Sequence, residues 1–243
     1  MIMFTLVYGD DLFDFPTLAN QMFKARRSQF ADDYGWELNI DNLGREIDEY
    51  DLMNPLYLIL RDQDGKHVGS TRLMPTTGPT MIADHFSDMT DGVQIESPTI
   101  WECTRFFIAD RGKDSVRNAA AIMWAGCQLA LRSGVEFYVG ITGAHMVRVF
   151  AACGWHSDII GERKDEKDGH LVACLWEVNE EICDRLARRA KIDKGSYDLQ
   201  VYRRPAPANS DISVSQPCGD IGFGNPPVVP ATRWVQAENS VMM

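Results

Sequence analysis

The chain has 243 residues, which is enough for one large domain or two small ones with a hydrophobic core. Apolar residues make up 45% of the sequence and charged residues 24%, and the formal net charge of -11 argues against nonspecific binding to nucleic acid. The cysteines are scattered without a CxxC pair, the opening residues lack the features of a signal peptide, and no apolar run approaches the roughly 18 residues of a membrane span. We therefore expect a cytoplasmic protein with reduced thiols, no nucleic-acid partner and no membrane span.

The first half of the chain is predicted to combine strands with one long helix. Apolar residues recur on one face of residues 14–35, with Asp14 placed to cap this helix and Pro16 in its first turn. Two strand-like runs flank DQDG, which is the strongest hairpin signal in the chain. In order, we expect a strand at 3–9, a helix at 14–35, a hairpin at 54–75, a short helix or loop at 80–89 and a strand at 99–108.

The second half alternates helices and strands and ends in a segment of different composition. The clearest helix covers residues 114–134, with Ser115 as the candidate N-cap and Gly134 at the C-cap. The strand–helix alternation predicts an α/β layered sandwich with a mixed sheet, in one domain over residues 1–204. Residues 205–243 are rich in Pro, Gly and Ser and are predicted to form a flexible or weakly docked tail. The remaining expected elements are a strand at 136–142, a helix at 144–154, a hairpin at 155–178 and a helix at 179–192.

The predicted strand IWECTRFFI, at residues 100–108, carries two charged side chains among apolar ones. An unpaired charge in a buried strand is costly, so Glu102 and Arg105 require partners. In a regular strand, positions three apart point to opposite faces, so these two are not expected to pair with each other unless a bulge rotates one of them. The expected partners are Arg72 and either Asp48 or Asp51. Such a network is either structural or part of an active site in which it shifts pKa values.

These charged residues occur in a fixed order with three aromatic positions. The order is R-x-x-F with Arg27 and Phe30, then Trp36, E-x-D-x-x-D at 46–51, GSTRLMPT at 69–76, Phe86, and WECTRF at 101–106. Over about residues 1–190, this combination resembles the acyl-homoserine-lactone synthases, the autoinducer synthases of bacterial quorum sensing. The resemblance implies a fold related to the N-acetyltransferases, which is a three-layer α/β sandwich with a mixed, mostly antiparallel central sheet.

The resemblance also implies a reaction and the residues that perform it. Members join the amino group of S-adenosylmethionine to an acyl chain delivered by acyl carrier protein, and lactone closure releases methylthioadenosine and the holo-carrier protein. S-adenosylmethionine is a substrate in this scheme, and no cofactor or metal is expected, since the histidines match neither HExxH nor a CxxC-linked zinc pattern. The implied catalytic residues are Glu102, as general base or amine-orienting group, with Arg105, Asp48 and Arg72. The implied residues for S-adenosylmethionine are Arg27, Phe30, Trp36, Asp48 and Asp51.

Further expectations concern the acyl chain and its carrier. Thr142 lies where many members use a hydroxyl residue associated with 3-oxo chains, while unsubstituted and 3-hydroxy chains stay open. Because both the carrier protein and this chain are acidic, docking requires a local basic patch, for which Arg148 and Arg117 are the candidates. The residues expected to line an apolar tunnel for the acyl chain are Met81, Phe86, Trp101, Phe107, Met123, Ile141, Thr142, Met146 and Phe150.

The main alternative is an N-acetyltransferase-like enzyme that uses acyl-coenzyme A. That fold carries a glycine-rich pyrophosphate loop of the form Q/R-x-x-G-x-G/A before a helix. Here ADRGKDSVRNA has Arg111, but Asp114 and Val116 stand at the glycine positions, where their side chains hinder a close approach of phosphate to the backbone. The sequence therefore favours a carrier protein as donor. A noncatalytic protein on a decayed synthase fold is disfavoured, because it would have no chemical reason to keep Glu102 and Arg105 in a strand.

Overall fold

One open sheet of eight strands forms the centre of the part of the chain that the structure describes. The computed structural model describes residues 2–109, 112–165, 169–193, 195, 197 and 199–205. The strands are β1 (Met3–Tyr8), β2 (Leu56–Arg61), β3 (His67–Pro75), β4 (Ile100–Ile108), β5 (Phe137–Gly143), β6 (Asp158–Asp165), β7 (Gly169–Glu177) and β8 (Val201–Tyr202). Their order is β6-β7-β5-β4-β3-β2-β1-β8, with β4–β5 and β1–β8 parallel and the other neighbours antiparallel. The predicted mixed, mostly antiparallel sheet is confirmed.

Helices cover both faces of this sheet. They are α1 (Pro16–Arg27), α2 (Met81–His85), α3 (Ser115–Ser133), α4 (Ala144–Cys153) and α5 (Glu180–Ala190). Alternate residues of β2 face opposite layers: Leu58 and Leu60 pack in the core that contains α3 and α5, whereas Tyr57 and Ile59 pack in the core that contains α1. The three-layer sandwich is therefore as predicted.

The helix predicted at 14–35 begins and ends differently in the structure. Pro16 is its first residue, as expected, but its N-cap is Phe15. Asp14 does not cap the helix; it accepts a hydrogen bond of 2.9 Å from Tyr202 Oη, because the unpredicted short strand β8 lies beside β1. The α-helix ends at Arg27 and continues as a π-helical turn over Ser28–Asp33.

Helix α3 confirms one predicted cap and corrects the other. Gly134 follows the helix with a φ of 69°, in the left-handed region that favours glycine at this position. The N-cap is Asp114, and Ser115 is the first helical residue instead of the cap. The predicted tail at 205–243 lies outside the described residues except for Pro205, so its boundary and flexibility stay predictions.

Two irregularities at β4 create the setting for a site. The β3–β4 register shifts between Ser70 and Arg72, and Arg105 at this bulge has a φ of 53°, a strained conformation for a residue with a side chain. Strands β4 and β5 pair only as far as Glu102, opposite Val139, and then separate. A gap therefore opens in the middle of the sheet, next to the bulge.

Candidate active site

Six charged side chains form a buried cluster on the α1 face of the sheet. None of these side chains is more than 12% exposed, and three positive formal charges balance three negative ones. Since each charge has an opposite partner, the cluster avoids the large cost of an isolated buried ion. We call it the ionic cluster; its members are Arg26, Arg72, Arg105, Glu46, Asp48 and Asp51.

Asp51 is bonded through both carboxylate oxygens. Its Oδ1 accepts hydrogen bonds from Arg26 Nη1 (2.8 Å), Arg72 Nη1 (2.9 Å) and Tyr57 Oη (2.7 Å), and its Oδ2 accepts one from Arg26 Nη2 (2.8 Å). Burial opposes ionisation of Asp51, but the positive charges of Arg26 and Arg72 outweigh this effect and hold its pKa well below the ordinary value. Asp51 is therefore a fixed anion that orients two arginines.

Asp48 and Glu46 hold Arg105 in place. Asp48 Oδ1 accepts from the backbone N–H of Tyr50 (3.0 Å) at the start of a 3-10 helix, Glu49–Leu52, while its Oδ2 lies 2.9 Å from Arg105 Nη2. Glu46 Oε1 accepts from Arg105 Nε (3.2 Å) and Nη2 (2.9 Å). Burial of Glu46 opposes its ionisation, yet the neighbouring arginines lower its pKa overall. Carboxylates thus fix the Arg105 guanidinium from two sides.

The arginine that α1 contributes to the ionic cluster is Arg26, whereas Arg27, which the resemblance implies for S-adenosylmethionine, lies outside the cluster. Arg26 is 1% exposed and donates to Glu46 and Asp51, whereas the Arg27 side chain is 44% exposed, and its Nε lies 3.6 Å from Asp32 Oδ1. The reason is helical spacing: Arg26 lies four residues after the buried Met22 and therefore on the same face of α1. The helical spacing of buried positions can be read from the sequence, and it identifies Arg26, which the R-x-x-F motif did not include.

Glu102 is buried at the edge of the gap and does not pair with Arg105. It is 1% exposed, and its Oε1 and Oε2 accept hydrogen bonds from the backbone N–H groups of Ile82 (2.7 Å) and Met81 (3.0 Å) at the start of α2. Burial raises the pKa of Glu102, and these two N–H groups only partly offset that rise. The carboxyl group therefore takes up a proton more readily than an ordinary glutamate.

Two arginine N–H groups converge on one weak acceptor beside Glu102. Arg72 Nη2 and Arg105 Nη1 each lie 3.5 Å from the sulfur of Met81. A thioether sulfur accepts hydrogen bonds poorly, so these two donors retain the capacity to bind a stronger acceptor. The position combines two fixed cations with a neighbouring carboxyl group.

Aromatic side chains cover this charged region. Phe30 and Trp36 stack with ring centroids 5.4 Å apart and an interplanar angle of 19°, and the Arg105 guanidinium lies 5.5 Å from the centre of the Phe30 ring. Tyr34 contacts His145 edge to face at 6.3 Å, which joins the segment after α1 to the start of α4. Both predicted aromatic residues therefore lie next to the ionic cluster.

A cavity of about 370 Å³ passes through the gap between β4 and β5. On the α1 face of the sheet its wall includes Glu102, Arg105 and the aromatic side chains of Phe30, Tyr34 and Trp36. On the opposite face it continues between the sheet and α3 and α4. There it is lined by the largely apolar side chains of Cys103, Ile122, Met123, Tyr138, Phe150, Trp155 and Trp176. One cavity thus joins a polar compartment to an apolar one.

Most residues predicted for an acyl tunnel lie in this wall, and two do not. Phe107 stacks on His67 at 5.4 Å, because the bulge in β4 changes the direction of the residues that follow it. Trp101 packs against the α3 core instead of the cavity. The large aromatic residues Tyr138, Trp155 and Trp176 line the cavity and were missed, since the sequence around them indicates only that they are buried. The predicted residues in the wall are Met81, Phe86, Met123, Ile141, Thr142, Met146 and Phe150.

The ionic cluster and the cavity lie within the part of the chain that matches known proteins. A family model described as autoinducer synthase matches residues 14–186, which is more than half of the chain and includes every cluster and cavity residue named above. The chain belongs to the autoinducer synthase family. It is 35% identical over 172 residues to an acyl-homoserine-lactone synthase of Rhizobium etli, a match that covers 69% of this chain and 80% of that protein. A second such synthase, from Ralstonia nicotianae, is 32% identical and is covered to 82%.

Solved structures of autoinducer synthases share the fold. The synthase LasI superimposes with a TM-score of 0.68 at 25% identity, covering 80% of this chain and 98% of LasI. BjaI, a coenzyme-A-dependent acyl-homoserine lactone synthase solved with S-adenosylmethionine and isopentyl-coenzyme A, gives a TM-score of 0.70 at 24% identity, covering 79% of this chain and 90% of BjaI. Membership of this family makes the chain an acyltransferase-type enzyme.

The candidate docking arginines of this autoinducer synthase lie on two helices. Arg148 is exposed on α4, and Arg117 is half-buried on α3, where its Nη1 lies 3.5 Å from Asp114 Oδ1. Their role stays a prediction. Among the described residues, no three His, Cys, Asp or Glu side chains are grouped so that they could hold a metal ion. No helix in the described part of the chain is long and apolar enough to cross a membrane.

Proposed function

We propose that this chain synthesises an N-acyl-L-homoserine lactone from S-adenosylmethionine and an acyl-[acyl carrier protein], with release of methylthioadenosine and the holo-carrier protein. The observation that carries the proposal is the single cavity that joins a charged, aromatic compartment to an apolar one through the sheet. A charged sulfonium substrate fits the first compartment and an acyl chain fits the second. The two then meet at the gap between β4 and β5.

In the proposed acylation step, Glu102 takes a proton from the amino group of S-adenosylmethionine, and the amine attacks the thioester carbonyl. A carboxyl group with a raised pKa suits this role, because its basicity is closer to that of the amine than an ordinary carboxylate's. The oxyanion that forms needs hydrogen-bond donors. Backbone N–H groups beyond Glu102 in β4 and beyond Val139 in β5 are available where the two strands no longer pair. Collapse of the oxyanion breaks the carbon–sulfur bond of the thioester, and the carrier's thiolate leaves and takes up the proton that Glu102 accepted.

S-adenosylmethionine is proposed to lie against Trp36 and Phe30, with its carboxylate near Arg72 Nη2 and Arg105 Nη1. The stacked aromatic rings provide faces for the adenine or the sulfonium. The two arginine N–H groups, which contact only the Met81 sulfur in this structure, can donate hydrogen bonds to the carboxylate. Asp48 and Asp51 are engaged with the arginines. Their proposed role is therefore to position Arg72 and Arg105 and not to contact the substrate.

Lactone closure in this scheme is intramolecular. The carboxylate of the acylated intermediate attacks the carbon beside the sulfonium, the carbon–sulfur bond breaks, and its electron pair stays on the sulfur of methylthioadenosine. The enzyme contributes mainly by holding the carboxylate and the sulfonium in a folded arrangement. The same arginines that bind the carboxylate can orient it for this attack.

The apolar compartment is the proposed site of the acyl chain. Met123, Phe150 and Ile141 are among the residues of its wall, and Thr142 lines the same cavity three residues beyond Val139, the last β5 residue that pairs with β4. A hydroxyl group there suits a chain with an oxygen at its third carbon. Unsubstituted chains have no partner for that hydroxyl.

Acyl carrier protein is the proposed donor because of the charge at the start of α3. Asp114 is the N-cap of this helix, so a carboxylate stands where the acetyltransferase fold binds a pyrophosphate. The exposed Arg148 is a positive group for docking an acidic carrier. Acyl-coenzyme A is the second candidate, since the structurally similar BjaI is described as coenzyme-A-dependent. The proposed location is the cytoplasm, which agrees with the absence of a disulfide at the described cysteines, Cys103, Cys127, Cys153, Cys174 and Cys183.

The test is the kinetics of lactone formation by the purified protein with each donor. S-adenosylmethionine is held constant, and kcat/KM is measured for one acyl chain attached either to carrier protein or to coenzyme A. We expect kcat/KM to be at least about tenfold higher with the carrier protein, which corresponds to about 1.4 kcal/mol. Equal values, or a preference for coenzyme A, would reject the proposed donor, and no lactone with either donor would reject the function.

A further inference from the structure

We infer that Gly126 sets the maximum length of acyl chain that the enzyme accepts, because its missing side chain leaves the buried end of the apolar compartment open. The inference rests on the proposed function and deepens it. Gly126 lies in the middle of α3 and is buried, and it is the only glycine inside an α-helix of the described residues. A glycine in a helix interior weakens the helix relative to alanine, so its presence there calls for a reason.

Neither of the usual structural reasons for glycine applies to Gly126. Its φ is not positive, so the backbone does not require a residue without a side chain. A Cβ atom at this position would have Tyr138 Oη, 3.9 Å away, as its nearest neighbour, which is an ordinary van der Waals contact. By contrast, a Cβ at Gly69 would lie 2.7 Å from the Phe107 carbonyl oxygen, and one at Gly140 would lie 2.5 Å from the Cys103 carbonyl oxygen. At those two positions a glycine is needed because another backbone segment approaches closely, whereas no backbone approaches Gly126 in this way.

The space beside Gly126 belongs to the cavity. Ile122 and Gly126 lie four residues apart on one face of α3 and both line the wall, so Gly126 is about 6 Å further along the helix than Ile122. The facing wall is aromatic: Tyr138 and Trp155 meet edge to face at 5.9 Å. These residues are 3% and 6% exposed, in contrast to His145, which is exposed at the mouth. Gly126 therefore lies at the closed end of the compartment.

Hydrogen bonds hold the aromatic side chains at the closed end of the compartment in place. Tyr138 Oη donates to the Gly126 carbonyl oxygen at 3.0 Å, and Trp155 Nε1 donates to the Glu177 carbonyl oxygen at 2.8 Å. Because these bonds hold the rings in place, the rings cannot easily move aside for a longer chain. A side chain added at Gly126 would occupy the room in which the tail of the chain ends.

The experiment compares Gly126→Ala, Gly126→Val and the parent in competition among acyl-carrier donors of increasing chain length. We expect the ratio of kcat/KM for the longest accepted chain to that for the shortest to fall at least about tenfold in Gly126→Val, since about one methylene of lost room is worth that factor in an apolar pocket. Gly126→Ala should show a smaller fall in the same direction. Gly78→Ala is the control, because a Cβ there meets nothing within 4 Å and Gly78 does not line the cavity; its ratio should equal the parent's.

The melting temperature of Gly126→Ala shows whether the fold itself requires glycine at this position or whether the glycine leaves room for a ligand. Gly126→Ala should melt about 2–4 °C above the parent, because alanine strengthens the helix and its methyl group makes only an ordinary van der Waals contact, 3.9 Å from Tyr138 Oη. A lower melting temperature for Gly126→Ala, or a chain-length ratio in Gly126→Val equal to the parent's, overturns the inference.

A second measurement does not depend on lactone formation. Straight-chain fatty acids of increasing length are the probe, and the melting temperature of the parent should rise with length up to a limit. Gly126→Val should reach its limit at a shorter acid. Identical profiles, or no rise in the parent with any acid, overturn the inference, whereas a parent that shows this profile but makes no lactone rejects the proposed function alone.

Discussion

Replacing Arg26 should destabilise the protein far more than replacing its neighbour Arg27. Arg26 is 1% exposed and pairs with Glu46 and Asp51, which are also buried, so Arg26→Met leaves two carboxylates short of a positive charge. Removing one partner of a buried ion pair typically costs about 3–5 kcal/mol of unfolding free energy. Arg27 is exposed and makes one 3.6 Å ion pair at the surface, so Arg27→Met should change that free energy by no more than about 0.5 kcal/mol.

The two variants are a matched pair for urea denaturation followed by tryptophan fluorescence. Each removes one arginine from the same helix and adds the same methionine, so propensity and net charge cancel in the comparison. Arg26→Lys is the intermediate case: it keeps the charge but loses the planar fork that bonds Asp51 through two nitrogens, and it should lose less than Arg26→Met. Equal losses for Arg26→Met and Arg27→Met would refute the assignment of Arg26 to the ionic cluster.

The pH dependence of the same measurement has a defined sign. In the folded protein the arginines lower the pKa values of Glu46 and Asp51. The stability that these carboxylates contribute is therefore complete above their unfolded values, about 4, and is lost as the pH falls through their lower folded values. The difference between the parent and Arg26→Met should shrink as the pH falls below about 4. A difference that stays constant over this range would contradict the electrostatic explanation.

Three further substitutions test the site. Glu102→Gln should lower kcat at least about 100-fold if Glu102 is the base. Because burial raises the folded pKa of Glu102, the parent should also lose stability relative to this variant as the pH rises through that pKa, and parallel melting curves that show no such trend would count against the assigned shift. Trp36→Ala should raise the KM for S-adenosylmethionine about 2–30-fold and leave that of the donor within about twofold, whereas equal changes would remove Trp36 from the S-adenosylmethionine compartment. Asp114→Asn should raise kcat/KM for acyl-coenzyme A relative to the carrier-bound donor, and an unchanged ratio would show that its charge does not select the donor.

Much of the fold could be predicted from local patterns in the sequence. The hairpin of β2 and β3 follows from two apolar runs around a turn, and α3 follows from its length and its closing Gly134. The strand β8 could not be found this way, since two residues carry no periodicity and pair with β1 only through the tertiary fold. Asp14 failed as a cap for the same reason, because Tyr202 of β8 competes for its carboxylate.

The chemistry of the site was partly visible and its geometry was not. Of the two charges in the apolar strand, Arg105 joins a buried network to which the expected Arg72, Asp48 and Asp51 also belong. Glu102 lies outside that network and is bonded to backbone N–H groups instead. The bulge that turns Arg105 toward them depends on a left-handed φ at a non-glycine residue, for which the sequence gives no signal. The same bulge turns Phe107 away from the cavity. The alternation of a regular strand therefore does not predict which residues of β4 line the site.

The most direct test of the account is to trace the atoms of S-adenosylmethionine through the reaction. The purified protein is supplied with an acyl-carrier donor and with S-adenosylmethionine that carries carbon-13 in the carboxyl, α, β and γ carbons of its methionine part. The products are analysed by mass spectrometry. The account predicts that all of the label appears in an N-acyl-homoserine lactone, and that unlabelled methylthioadenosine forms in equal amount. Transfer of the acyl chain without a lactone, or no labelled product with any donor, would contradict it.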